Sequence, residues 1–416
     1  MKKIILFLCI GAVLKVEAQT STFALSDSLF AIGRYKMALL TLDKMEASFL
    51  SNVKKANIYE AIDNFKKASE YYELALTFKE NYSTKLKLAK NYRSLKQSKK
   101  AIVIYEEILE KDSLNLVLKY KLGKLYITNK KPEKAITCFK YLIENDKTNA
   151  NYSYYLALSY ALNGKRDPMI NSLLDTYKKD SLDLKAIARL ANSFNKLKDV
   201  DSTQLFTGKG LAINKNHIEL NKLKVNQLYK DKNYKEAIPL LLNLDTIDRK
   251  DTYSTSMLGR MYFKLDSLDK AKKYFNKLYA MDRENFKAKT FLGHIAMIEE
   301  DYTTATFNYM MATYIGKEKR DEEYFGLGNV FLKKSQPKQA LSAYEEAFKE
   351  NRRNYKVLYQ WAKLSDDYYK DKKIAYKLYI KYIETFYEKD LVIDAFVKRR
   401  IKDIKKEYFI KGETLK

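Results

Sequence analysis

The sequence predicts an all-α protein, a right-handed α-solenoid of about eleven antiparallel helix pairs with a C-terminal capping helix. Three observations predict this fold. Small residues recur every 34 positions, a second series of mostly small residues keeps nearly the same spacing, and aromatic residues follow the first series three positions later. A fixed period of this length over most of a chain indicates stacked helical repeats.

Both series run through most of the chain. The first consists of Ala56, Ala89, Gly123, Ala157, Ala191, Val225, Gly259, Gly293 and Gly328. The second consists of Ala101, Ala135, Met169, Thr203, Ala237, Ala271, Ala305, Ala340 and Ala375. Small side chains at fixed positions indicate that two helices approach closely there, since a larger side chain would hold the backbones apart.

One period, from Val117 to Ala150, shows the unit. Its first half carries an amphipathic apolar stripe, made by Leu118, Leu122, Leu125 and Tyr126. Pro132 is suited to begin a second helix. That helix carries the same stripe at Ala135, Ile136, Phe139, Leu142 and Ile143. Each unit is therefore predicted to be two short antiparallel helices, which bury their stripes by stacking on neighbouring units.

This pattern resembles the tetratricopeptide repeat family. The residues that carry the match are Leu122-Gly123…Tyr126 with Ala135…Phe139…Leu142, and their counterparts Leu258-Gly259…Tyr262 with Ala271…Phe275…Leu278. The chain has only four prolines, whereas the family often ends a repeat with proline. An acidic or amide residue stands nearby instead, at Asp112, Asp146, Asp180, Asn214, Asp248 and Asp282. We expect these residues to cap the next helix.

The 34-residue period covers only part of the chain, and its limits define the predicted domains. Residues 1–18 are predicted to be a secretory signal peptide, with Lys2-Lys3 before an apolar stretch from Ile4 to Leu14. Residues 19–48 form a degenerate helix pair, 49–390 the repeat array, and 391–416 a basic amphipathic capping helix and tail. The mature chain shows no later hydrophobic span. The resemblance is to exported proteins of Bacteroidota-like bacteria, and it implies the periplasm or the outer-membrane periphery.

The repeat from Asp183 to Lys215 is the most degenerate in the array. Its second helix contains Thr203, Thr207, Gly208 and Gly210, all poor helix formers. This composition predicts a soft joint, with a binding excursion as the alternative.

The net charge and the cysteine content narrow the range of functions and of covalent cross-links that the chain could have. The net charge is +26, and removing the leader, which carries three lysines and one glutamate, leaves +24. The lysines are scattered, which favours a solvated basic surface over a focused site, and the export signal disfavours nucleic acid. Only Cys138 remains after cleavage, so no internal disulfide can form.

Candidate binding residues follow the small residue of each first helix. The resemblance implies that first helices line a concave groove, so these side chains are expected to face into it. The candidates are Asn192, Asn226, Arg260, His294 and Asn329, with Lys222 one turn before Asn226. A row of N–H donors suits an extended acidic peptide or a chain terminus. Lys222 and Asn226 match a Lys–Asn pair of carboxylate-clamping members, although the remaining clamp residues do not align. The alternative is a solvated polar face.

Signals for catalysis, metal binding and cofactor binding are close to absent. The two histidines, His217 and His294, lie in different repeats, and the sequence has neither a glycine-rich phosphate loop nor a Cys/His metal pattern. The sequence therefore predicts a non-enzymatic protein-interaction scaffold of the cell envelope, with a protein or peptide partner. The alternative is a polyanion or anionic membrane-surface binder that uses the net charge and the basic C-terminal helix.

Overall fold

The computed structural model describes residues 20–317 and 319–415, which form twenty-three α-helices and no strand. The predicted signal peptide lies outside the described residues. The helices are α1 (20–31), α2 (Tyr35–Asp43), α3 (Phe49–Ala61), α4 (Phe65–Phe78), α5 (Tyr82–Ser94), α6 (Ser98–Lys111), α7 (Leu116–Thr128), α8 (Pro132–Asn145), α9 (Ala150–Leu162), α10 (Arg166–Lys179), α11 (Leu184–Leu197), α12 (Val200–Ile213), α13 (Ile218–Lys230), α14 (Tyr234–Ile247), α15 (Thr252–Lys264), α16 (Leu268–Met281), α17 (Phe286–Ile298), α18 (Tyr302–Ile315), α19 (Asp321–Lys333), α20 (Pro337–Glu350), α21 (Tyr355–Tyr368), α22 (Lys373–Phe386) and α23 (Leu391–Ile410).

The helices pair as predicted. Each odd-numbered helix from α3 to α21 packs against the helix that follows it, which with α1–α2 gives eleven pairs before α23 in the described residues. The chain divides into two compact units, one ending at Ile213 and the other beginning at Asn214. Unit 1 therefore contains α1–α12 and unit 2 contains α13–α23. The degenerate helix α12 is continuous despite its glycines, and the division falls directly after it.

A recurrent turn joins the helices of most pairs. In it one residue has a positive φ, from 55° at Lys130 to 74° at Gly33. The full set is Gly33, Asp63, Lys96, Lys130, Gly164, Lys198, Lys232, Asp266, Glu300 and Ser335. The next N–H closes the turn, as Lys131 does by donating to the Tyr126 carbonyl at 2.8 Å. Most of these positions are not glycine, so the stacked helices hold a conformation that costs a non-glycine residue about 1 kcal/mol.

The expected caps lie three residues later than predicted. Asp146 ends α8, and its Oδ1 accepts the N–H of Thr148 at 3.0 Å. The cap of α9 is Asn149, whose side chain accepts the N–H of Asn151 at 3.1 Å. Asp112, Asp180, Asp248 and Asp282 end their helices in the same way. The chain needs these intervening residues to reverse direction, so the acidic residue forms the turn and a later residue caps the helix.

The small residues make room for rings, which confirms the close approach. An added Cβ at Gly123 would lie 2.8 Å from the Phe139 ring. The same distance separates a Cβ at Gly259 from Phe275, and a Cβ at Gly293 from Tyr309. Phe139 and Phe275 are almost fully buried. Each ring therefore occupies the space that a side chain on the opposite helix would fill.

Helix α23 covers the last apolar surface. Val397, Ile404 and Tyr408 are buried against α21 and α22 in one hydrophobic cluster. Arg400 binds the carboxylate of Asp366 on α21 in a bidentate manner, at 2.6 and 3.0 Å. No helix within the described residues is both long and apolar enough to cross a membrane.

Candidate functional site

All of the candidate residues except Lys222 hold one repeated position, directly after the buried small residue of a first helix, and Lys222 lies one turn before Asn226. Asn192 lies on α11 in unit 1, and its amide donates to the Ala188 carbonyl of its own helix at 3.0 Å. The others lie in unit 2. We call Lys222, Asn226, Arg260, His294 and Asn329 the first-helix face of unit 2. Asn226 is exposed and the other four are half-buried.

Lys222 and Asn226 are brought together by the next first helix. The Lys222 ammonium lies 3.1 Å from Asp251 and 4.9 Å from the centre of the Tyr253 ring. The Tyr253 hydroxyl donates to Asn226 Oδ1 at 2.8 Å. Burial acts to raise the pKa of the Asp251 carboxyl, but hydrogen bonds from Ser254 and Lys222 outweigh it and lower that pKa. The charge of Lys222 is therefore already balanced.

Arg260 is different because its charge has no carboxylate beside it in the described part of the chain. Its guanidinium carbon lies 5.6 Å from the centre of the Phe291 ring on α17. Its Nε is buried and makes no hydrogen bond there. An aromatic face supports the guanidinium plane and leaves the outer nitrogens available to a ligand.

His294 lies beside the same ring, with its centre 5.8 Å from that of Phe291. Its Nε2 lies 3.1 Å from Glu322 Oε1, and its Nδ1 lies 2.6 Å from the Tyr309 hydroxyl. A carboxylate only accepts, so Nε2 carries the proton, and in the neutral ring Nδ1 accepts from Tyr309. The hydrogen bond from His294 is the main cause that lowers the pKa of Glu322 to about 2.

A second buried carboxylate adjoins this pair. Glu323 is fully buried, and its Oε1 accepts from Thr290 at 2.6 Å and from Lys287 at 3.0 Å. Lys287 also donates to Glu322 at 2.8 Å. Burial acts to lower the pKa of Lys287, but the two carboxylates outweigh it and raise that pKa. Lys287 and His294 are thus both paired with carboxylates, and these two glutamates outnumber the one lysine.

Asn329 shows an alternative role for these positions. Its Oδ1 accepts from the Tyr344 hydroxyl of the same pair at 2.7 Å. His294 meets Tyr309 in the same register, and in unit 1 Asn57 accepts from Tyr72 at 2.7 Å. Polar residues here therefore also satisfy the hydroxyl of a buried ring. These partners, as well as Asp251, Glu322 and Glu323, were not predicted from the sequence, although the regular spacing to the tyrosines was a usable signal.

Four segments match models described as tetratricopeptide repeats, at residues 51–82, 117–149 and 256–285 for one model and 84–113 for another. The chain contains tetratricopeptide repeats. They coincide with the helix pairs α3–α4, α7–α8, α15–α16 and α5–α6. A comparison with curated proteins finds no match.

Solved structures with tetratricopeptide-like folds are similar to the chain at low identity. A chain from the crystal structure of the APC/C hetero-tetramer Cut9–Hcn1 is 14% identical, with 91% of this chain and 83% of that chain covered and a TM-score of 0.45. Yeast Tom70 is 13% identical, with coverages of 95% and 97% and a TM-score of 0.43. PilW, described as a type IV pilus biogenesis factor, is 15% identical, with coverages of 50% and 96% and a TM-score of 0.42.

The described residues contain no group of three or more His, Cys, Asp or Glu side chains placed to hold a metal ion. Cys138 is half-buried in α8, and burial raises the pKa of its thiol to about 11. A thiol with this pKa is almost wholly protonated at neutral pH, so Cys138 is a poor nucleophile.

Proposed function

We propose that this protein is a non-enzymatic interaction scaffold of the bacterial cell envelope. In this proposal the first-helix face of unit 2 binds an acidic peptide segment or the carboxyl terminus of a partner protein. The envelope location rests on the leader-like residues 1–18. The binding mode rests on the tetratricopeptide repeats and on the charges of this face.

The observation that best supports the proposal is the unpaired charge of Arg260. Lys222 on one side is paired with Asp251, and His294 on the other side faces Glu322. Arg260 alone among these three keeps a charge with no carboxylate partner in the described residues, and it rests on Phe291. A partner carboxylate would supply the missing pair, with the bidentate geometry that a guanidinium favours.

The neighbouring groups suit an extended segment. Asn226 and Asn329 each accept a tyrosine hydroxyl through Oδ1, which orients the amide. Neither Nδ2 makes a hydrogen bond to another described residue, so both amide nitrogens can donate to carbonyls of a bound peptide. This arrangement gives two donors on opposite sides of Arg260 along the series of first helices.

The test is binding of a peptide library that contains acidic and neutral segments, each with a free and an amidated carboxyl terminus. We expect acidic or free-terminus peptides to bind and Arg260→Gln to weaken them about ten-fold or more, as for loss of a charged hydrogen bond. Arg189→Gln is the matched control, because Arg189 also lies over an aromatic ring, that of Tyr154 at 5.9 Å, but in unit 1. Equal binding by wild type and Arg260→Gln, or equal loss in both variants, would refute the proposal.

The second candidate, binding to an anionic surface, is favoured by the end of α23. Phe409 and Ile410 are 86% and 72% exposed, beside the exposed Lys405 and Lys406. Apolar and basic side chains together suit an anionic membrane surface. The dependence of binding on salt distinguishes the two candidate functions. Binding to an anionic surface weakens steeply as the ionic strength rises, whereas peptide binding to the first-helix face of unit 2 retains much of its affinity. Vesicle binding lost in Phe409→Ser and in high salt would support this second function.

A further inference from the structure

Helix α18 carries an exposed apolar stripe on the face opposite its buried side. Phe307 is 57% exposed, Met310 is 56% exposed and Tyr314 is 86% exposed. Their spacing of three and then four residues places them on one face of the helix. The buried side of α18 is formed by Ala305, Tyr309 and Ala312, which are already packed in the repeat. The stripe is therefore additional to what folding requires.

The neighbouring second helices do not share this stripe. At the same positions one repeat earlier, α16 has Lys273, Asn276 and Ala280, and one repeat later, α20 has Ser342, Glu345 and Lys349. These six residues include no large apolar side chain. The stripe is thus confined to one helix and flanked by polar helices, which makes it narrow and about 10 Å long at 1.5 Å per residue.

Lys289 contacts the stripe and Arg283 contacts the neighbouring Tyr279, and neither cation has a carboxylate partner in the described residues. The Lys289 ammonium lies 5.4 Å from the centre of the Phe307 ring and 4.3 Å from that of Tyr279. The Arg283 guanidinium lies 4.8 Å from the same Tyr279 ring. Lys289 also donates to Asn308 at 3.2 Å. Burial, and then the charge of Arg283, lower the pKa of Lys289.

We infer that this stripe docks an amphipathic helix of a partner protein, with apolar side chains against Phe307, Met310 and Tyr314 and carboxylates against Lys289 and Arg283. The narrow stripe matches one helical face, which spans two to three turns. A membrane would have to cover the flanking Glu345 of α20 and desolvate its carboxylate. The uncompensated cations select an acidic flank on the partner helix.

The test is selection of a displayed library of 16-residue peptides on the full chain, with removal of peptides that also bind the Phe307→Ser/Met310→Ser double variant. We expect the remaining peptides to carry apolar residues with a helical period and acidic residues on one side. A synthetic copy should lose about ten-fold or more in affinity on the double variant and less on Lys289→Gln. It should keep its affinity on the matched control Lys273→Ser/Asn276→Ser and on Arg260→Gln.

Several results would overturn the inference. One is a selection in which no peptide distinguishes the wild-type chain from the double variant, and another is the recovery of basic or non-periodic peptides. If the double variant abolishes binding to phosphatidylglycerol vesicles, the occupant is lipid. If it abolishes self-association in sedimentation, the occupant is a second copy. Because Arg260→Gln leaves this surface intact, failure here is distinguishable from failure of the proposed peptide-binding function.

Discussion

The α19–α20 repeat and the α11–α12 repeat fill the space between their two helices with different side chains. In α19–α20, Gly328 faces the Tyr344 ring, which is 1% exposed and donates its hydroxyl to Asn329. In α11–α12 the corresponding small residue is Ala191, and the position of the ring holds Thr207, whose buried hydroxyl makes no hydrogen bond in the described residues. Phe206, one position earlier, stacks on Phe194 with centroids 5.7 Å apart.

This contrast indicates that the small residue varies with the size of the side chain opposite. The four glycines of the first series, Gly123, Gly259, Gly293 and Gly328, face aromatic rings. Where the opposite position holds Leu173, Thr207 or Leu241, the small residue is alanine or valine. Ala56 and Ala89 are paired with Tyr72 and Tyr105, so glycine is one solution for a ring and not a requirement. Glycine in this series therefore occurs only opposite rings, whereas alanine occurs opposite rings and opposite smaller side chains.

Removal of the Tyr344 ring should lower the stability of its repeat more than any other change considered below. Tyr344→Ala should destabilise the α19–α20 repeat by about 3–5 kcal/mol, because it leaves a cavity and an unpaired Asn329 acceptor. Thr207→Ala should cost much less, since its hydroxyl already lacks a partner. Amide hydrogen exchange of the two repeats measures the difference locally, which suits an array that need not unfold in one step. Equal losses of protection would contradict the comparison.

A side chain added at position 328 would overfill the same space. A Cβ added by Gly328→Ala would overlap the Tyr344 ring. We expect a loss of about 1–3 kcal/mol, as for other overpacked cores. Adding Tyr344→Leu should recover part of that loss, because the double variant copies the Ala157–Leu173 arrangement of unit 1. Chemical denaturation of the two single variants and the double variant gives the coupling, and additive losses would show that the residues do not share one space.

A smaller effect of opposite sign is expected in α11–α12. Thr207→Val removes a buried hydroxyl without a hydrogen bond in the described residues and keeps the branched shape. It should stabilise this repeat by about 1 kcal/mol. Thermal unfolding and hydrogen exchange of α12 would show the gain. Thr176→Val is the control, since the Thr176 hydroxyl donates to the Ser172 carbonyl at 2.8 Å and should not give such a gain.

The smallest effect depends on pH and concerns the α19–α20 repeat. Glu322 on α19 has its pKa lowered to about 2, chiefly by its hydrogen bond from His294. Because the folded pKa lies below the unfolded value of about 4.3, its stabilisation is present above about pH 4.5 and is lost as the pH falls towards 2. Half of the side chain is exposed, so screening keeps the effect below about 1 kcal/mol.

The measurement for Glu322 is unfolding between pH 2 and 6 in wild type and Glu322→Gln. The wild-type chain should lose more stability than the variant as the pH falls, and the loss should appear in α17–α19. Glu345→Gln on α20 is the control. An identical pH dependence in wild type and Glu322→Gln would show that the His294 contact contributes nothing.

The turns and caps show why local structure was only partly predictable. Pro132 begins α8 as the sequence indicated, because its ring fixes φ and removes an N–H that has no partner there. Asp146 was expected to cap α9, but it ends α8, and Asn149 provides the cap. Asp and Asn serve both turns and caps, so composition alone does not decide which of two nearby residues takes each role.

The positions of the candidate site residues could be predicted from the sequence, but the partners of their charged groups could not. The period placed Asn226, Arg260 and His294 at one register of successive first helices, with Lys222 one turn before Asn226. It did not show that Asp251 pairs with Lys222 or that Glu322 pairs with His294. These partners lie about one repeat away along the chain and belong to no shared motif.

The 34-residue period was sufficient to predict the all-α fold, the pairing of the helices and their close approach at the small residues. Those features depend on contacts within a repeat or with its neighbours, and a period of 34 residues records such contacts many times over. The pairing of the charges and the exposure of the α18 stripe became visible only in the folded chain. Long flexible side chains reach partners on adjacent helices, and whether Arg260 or Lys222 meets a carboxylate depends on a few ångströms that no periodicity encodes.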